Sequence, residues 1–154
     1  MTAAMIRWIN NYFIINKFFN QEIMKIKKIL MSLLVACTIA VPSAYSLTPE
    51  GEQFTTIMVA TINSPEVLAD LTSDGMFTEA KASRVDDNLV ISFKFNDSFD
   101  FSTMTYEEIQ SMLGLMADNI RETMGESYGL MKQMGVNMKI VFSDVNGNSH
   151  SRFV

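Results

Sequence analysis

The chain has 154 residues, 48% of them hydrophobic and 19% charged, with a formal net charge of −5. Five of its 12 basic side chains (Arg7, Lys17, Lys25, Lys27, Lys28), one of its 17 acids (Glu22), and its single Cys37 and Trp8 all precede Leu47, so the remaining 108 residues carry a formal charge of −9 and no cysteine. These figures exclude disulfides, thiol catalysis and cysteine-ligated zinc from residues 47–154. They argue against nucleic acid and anionic lipid as partners, and they suit one small domain.

Residues 1–23 are rich in Asn, Ile, Phe and Lys, the mixture that AT-rich DNA gives when read as codons, so translation is expected to begin at Met24. From there, Lys25, Lys27 and Lys28 form a positive region ahead of a 13-residue apolar run, Ile29 to Val41. Pro42 and the small residues Ala44 and Ser46 follow. This is the form of a secretory signal over residues 24–46, with cleavage expected between Ser46 and Leu47. Two alternatives stay open. An uncleaved anchor would need about 20 apolar residues to cross the hydrocarbon. Leu34-Val35-Ala36-Cys37 also matches a lipobox, which would lipidate Cys37, although Thr38 to Val41 stay apolar where a polar tether is usual.

From Leu47 to Val154 a single domain is expected. Thr48-Pro49-Glu50 reads as a helix start, with Thr48 as N-cap and Pro49 where its missing N–H is harmless. Phe54, Ile57, Met58 and Ile62 then share a face. Ser64-Pro65-Glu66 repeats the signal and Asp74-Gly75 stops it, giving a helical pair over residues 49–73. After Gly75 the period falls to two: Leu89, Ile91, Phe93 and Phe95 face inward, while Ser92 and Lys94 face water. Residues 77–85 alternate more weakly, and Asp86-Asp87-Asn88 is turn chemistry, so an antiparallel hairpin is expected.

Thr105-Tyr106-Glu107-Glu108 is a capping box. Behind it Ile109, Met112, Leu113, Met116, Ile120, Met124, Tyr128, Met131 and Met134 recur at helical spacing, predicting one long helix that ends at Gly135. Gly114, Gly125 and Gly129 each weaken it by roughly 1 kcal/mol relative to Ala. Val136 to Phe142 reads as a strand, Asn146-Gly147 as a hairpin turn of type I′, and Ser149 to Val154 as a short last strand. The predicted architecture is α+β: short helices, hairpin, long helix, hairpin, with a four-stranded antiparallel sheet packed on the long helix.

The S-P-E-V start at Ser64, the run DNLVISFKF, the long helix and the ending VFSDVNGNSHSRF resemble an uncharacterised family of small secreted or lipoprotein α+β domains of gut bacteria. The likeness spans about 90 residues to Val154. It implies the fold and export, and it implies no activity, ligand or catalytic residue.

Candidate chemistry is sparse. His150 is the single histidine, and its neighbours Ser149, Ser151 and Arg152 invite a nucleophile. Adjacent strand residues point to opposite faces, however, which favours a solvated histidine on an edge strand. Asp144-x-Asn146-Gly147-Asn148 faintly resembles a calcium loop, but the glycine comes early and no closing acid follows. Asp86, Asp87, Asp97 and Asp100 are carboxylates for acid/base work or a weak divalent site, in a segment where chance pairs of acids are common. Nine methionines lie beyond Leu47. Met112, Met116, Met124, Met131 and Met134 are soft Cu(I) ligands if exposed, and otherwise form a flexible core stripe or an adaptable partner surface. No G-x-S-x-G, H-E-x-x-H, P-loop or dinucleotide fingerprint is present.

By elimination, the expectation is an exported, non-enzymatic domain of the cell envelope with no cofactor, binding a protein or small ligand through the last strand or the Met-rich helix. The alternative is a small envelope enzyme or a methionine-based copper handler. Membrane attachment is expected only through an uncleaved signal or a lipidated Cys37, and the oligomeric state is not legible.

Overall fold

The computed structural model describes residues 47–154, with Gln21, Met24 and Lys28 from the stretch before them. The expected cleavage at Ser46 and lipidation at Cys37 lie outside the described residues, as do the residues on either side of the expected start at Met24. Among the described residues no helix is long and apolar enough to cross a membrane.

Helix α1 (Pro49–Ile62) opens on Thr48, whose hydroxyl accepts from the Gly51 N–H, and carries Glu50 and Glu52 at the positive end of its dipole. It buries Phe54, Thr55, Met58 and Ile62. Helix α2 (Pro65–Leu71) repeats the device, with the Ser64 hydroxyl accepting from Val67 N–H. Strands β1 (Phe77–Val85) and β2 (Asn88–Phe95) form the expected antiparallel hairpin, pairing Val85 with Asn88 across a turn in which Asp86 takes φ 53°. Aspartate is one of the few non-glycine residues that tolerates that conformation.

A single 3-10 turn (Phe101–Thr103) leads into α3 (Tyr106–Met124), whose capping box is complete: Thr105 accepts from the Glu108 N–H, and the Glu108 carboxylate accepts from the Thr105 N–H. The predicted single helix is two. Gly125, at φ 52° and ψ −125°, ends α3, and α4 (Glu126–Gln133) begins at once. Periodicity carries across such a break because both helices bury their methionines in the same core. Strands β3 (Asn137–Ser143) and β4 (Ser149–Phe153) close the domain as a second antiparallel hairpin.

The α+β class and the order of elements are those expected. The sheet runs β1-β2-β3-β4, and it is mixed, not the antiparallel sheet expected: β2 and β3 are parallel, Leu89 beside Met138 and Phe93 beside Phe142. The reason lies in the connection. A strand followed by a helix that returns the chain to its starting end can lay the next strand only in the same direction.

One face of the sheet is apolar. Leu89, Ile91, Phe93 and Phe95 of β2 lie beside Met138, Ile140 and Phe142 of β3, all buried. The rings of Phe77, Phe93, Phe95 and Phe142 meet at 4.8–6.1 Å between centroids. Helices α1 and α2 lie over β1, and α3 lies over β4. On α3 alone Ile109, Met112, Leu113, Met116, Ala117, Ile120 and Met124 are buried. At about 1.5–3 kcal/mol for each large side chain, this exceeds the glycine cost several-fold. The other face alternates toward water with Lys81, Ser92, Lys94 and Lys139, and Lys94 pairs with Glu79 at 3.0 Å.

Candidate functional site

The two edges of the sheet differ. On β1 the Asn63 side chain acts as a piece of added strand, its amide donating to the Ala82 carbonyl and its oxygen accepting from the Ala82 N–H, both at 2.8 Å. Asn63 caps α1, so the helix end itself fills the middle of this edge at Ala82. Arg84 is drawn to Glu52 of α1 at 2.6 Å, which holds the same edge against the helix. A groove of about 670 Å³ lies beside it, lined among others by Leu68, Ala69, Thr72 and Ala80.

Among the described residues the β4 edge has no such cover. Val154 N–H donates to Met138 and Asp144 N–H to Asn148. This register turns the backbones of His150 and Arg152 toward β3 and those of Ser149, Ser151 and Phe153 outward. No described residue hydrogen-bonds the outward groups. Phe153 is exposed, with the Lys139 ammonium 5.4 Å from its ring centre.

Beneath this edge a groove of about 550 Å³ separates β4 from α3, lined by Gln110, Ser111, Gly114, Leu115, Asp118 and Arg152. Arg152 stands opposite Ile140 in the ladder, so its side chain leans to the helix side. It lies against α3 at Gly114, where a Cβ would stand 3.5 Å from the guanidinium carbon, an ordinary contact distance. Leu115 is exposed beside it. Among the described residues the edge is thus an unpaired backbone ladder with a groove along one side that holds one apolar side chain, Leu115, one cation, Arg152, and one acid, Asp118.

The strand's register is fixed by its turn. The Asp144 carboxylate is fully buried and accepts from the N–H groups of Phe101, Asn146 and Asn148 and from the Asn148 side chain, at 2.8–3.0 Å. Burial pushes its pKa up, but these hydrogen bonds more than offset that and hold it below the usual value. The turn differs from the expected type I′: Gly147 donates to the Asp144 carbonyl and alone takes positive φ, at 84°. Of the calcium-like residues, Asp144 therefore spends its oxygens on N–H groups of the protein. Among the described residues no group of three His, Asp or Glu side chains could hold a metal.

The histidine differs from the solvated residue expected. His150 pairs with the buried Phe142 and is half-buried, its ring edge-on to Phe101 at 4.7 Å. Ser149 and Ser151 point to the opposite face, so neither is placed for a triad with it. Met112, Met116, Met124, Met131 and Met134 are all at most 2% exposed, which puts their thioethers in the core and away from any surface. Asp86 and Asp87 sit at the β1–β2 turn, and Asp100 caps the 3-10 turn through Ser102. Sequence reasoning named the last strand, took Arg152 only as a neighbour of His150 and Gly114 only as a helix-weakening glycine, and did not single out Leu115; that these three meet depends on how α3 crosses β4, which no local pattern shows.

The chain matches no protein-family model, no curated protein and no solved structure.

Proposed function

We propose that this protein is an exported, non-enzymatic binding domain of the cell envelope, which takes an extended segment of a protein partner onto β4 as a fifth strand. The observation that carries the reading is the contrast between the edges: Asn63 occupies the middle of β1 at Ala82, whereas among the described residues nothing bonds the outward donors and acceptors of Ser149, Ser151 and Phe153, which lie beside a groove. Strand addition draws affinity from such main-chain groups and specificity from alternate side chains in flanking pockets. Export rests on the signal-like residues 24–46, and a mass beginning at Leu47 for protein recovered from its host would support it.

Ser151→Pro is the direct test. Its N–H faces away from β3, so proline removes a donor from the open edge without taking one from the internal ladder. A photo-crosslinking residue at Ser149 is expected to capture an envelope protein in the native host. Ser151→Pro is expected to abolish the capture while circular dichroism stays unchanged. Equal capture by both forms, or none by either, sinks the reading.

A further inference from the structure

The groove beside β4 holds a cation without a counter-ion. Arg152 is exposed, forms no ion pair among the described residues, and rests against α3 at Gly114. The one carboxylate lining the groove, Asp118, is engaged by Arg121 at 2.9 Å. In a segment of net charge −9, where Arg84 and Lys94 have found acids, an unpaired guanidinium next to an unpaired strand edge is the complement of an incoming carboxylate.

We infer that the strand accepted by β4 is acidic, with an Asp or Glu opposite Arg152 on the side facing α3. The inference rests on the strand-addition reading. Because the Arg152 backbone is turned toward β3, an antiparallel strand added outside would face it in a non-hydrogen-bonded pair, with Cα atoms about 4.5 Å apart. A carboxylate there meets the guanidinium fork directly. An apolar side chain two positions along the same face lies over Leu115. The partner is therefore an extended peptide in which an acid alternates with an apolar residue.

A second copy of this chain is the poorer fit. Two β4 strands paired antiparallel about Ser151 would set Arg152 opposite His150 of the other copy, and Ser149–Phe153 contains no acid. Two such acidic domains also repel each other.

The test is an amide NMR titration of the 15N-labelled full chain with blocked synthetic peptides that alternate Thr and Val, the central Val replaced by Glu, Gln or Lys. All three are expected to shift the amides of Ser149, Ser151 and Phe153. The Glu peptide should bind about fivefold tighter than the Gln peptide, as fits a partly exposed ion pair, and the Lys peptide weakest. Arg152→Gln should erase the difference between Glu and Gln while the β4 shifts remain, and Arg152→Lys should keep part of it. Equal affinities with the β4 amides still shifting would end acid recognition and leave strand addition standing. No β4 shift with any peptide would end both. A dimer in sedimentation, with those amides already protected in the free protein, would give the edge to a second copy and overturn the inference.

Discussion

Burial and hydrogen bonding pull the Asp144 carboxyl in opposite directions, and the balance makes it a pH-dependent staple between the β3–β4 turn and the 3-10 turn. Burial raises its pKa, and the Asn148, Phe101 and Asn146 donors lower it further than burial raises it. A depressed folded-state value means that its stabilisation is complete above the ordinary value of 3.8 and is lost as pH falls through the lower folded-state value. Asp144→Asn turns one acceptor into a donor facing N–H groups and is expected to cost roughly 2–3 kcal/mol at pH 7. In urea melts the gap between wild type and variant should narrow in strong acid. A gap that does not change with pH would show that the charge is not what holds the turn. The sequence made Asp144 visible as turn chemistry, but its bond to Phe101 spans 43 residues, beyond the reach of any local pattern. Glycines show the same limit. A Cβ on Gly51 would stand 2.3 Å from the Met134 carbonyl oxygen, whereas nothing lies within 4 Å of one on Gly129. Gly129→Ala is expected to stabilise by roughly 0.5–1 kcal/mol, the helix-propensity gain. Gly51→Ala is expected to lower the melting temperature despite the same gain, because backbone must move, and calorimetry of the pair separates the two effects.

At the scale of elements, the sequence was legible where a local signal decides the outcome. Thr48, Ser64 and Thr105 cap the helices they were read to cap, and the two-residue period marked β2 and β3. It was less legible where an element's end depends on one residue inside a periodic run. Met124, Met131 and Met134 keep helical spacing through Gly125 because α3 and α4 line one core. The chain turns at Gly125 through a conformation open in practice only to glycine. Gly125→Ala is therefore expected to cost roughly 1–3 kcal/mol, read as a fall in the urea midpoint, instead of gaining the helix-propensity increment that Gly129→Ala gains. A rise would mean that α3 and α4 can fuse into the single helix that periodicity suggests. Strand direction had a readable sign as well: a helix between adjacent strands implies a parallel pair, and β2 and β3 obey it.

At the scale of the molecule, a four-stranded sheet has two edges to defend against unwanted pairing, and among the described residues one of them is defended, by Asn63 on Ala82. Edge strands invite other strands unless something occupies their hydrogen bonds. Chain order makes a last strand a natural edge, so β4 was legible. The guarded state of β1 was not, since it depends on one amide meeting a strand 19 residues away. Asn63 therefore carries a prediction about assembly as well as stability. Removing its amide in Asn63→Ala leaves the N–H and C=O of the buried Ala82 without protein partners, at a cost of roughly 1–3 kcal/mol. It also gives the sheet a second open edge beside the groove lined by Leu68, Ala69 and Ala80. The variant is expected to unfold at lower urea and to self-associate in sedimentation velocity at concentrations where the wild type does not. Combining it with a proline at Ala80, whose N–H faces outward in the same register, should restore the wild-type sedimentation profile without restoring stability. If Asn63→Ala is destabilised yet sediments as the wild type does, the amide fastens α1 to the sheet and the closed edge is a by-product. Self-association cured by the proline identifies Asn63 as the residue that directs pairing to β4.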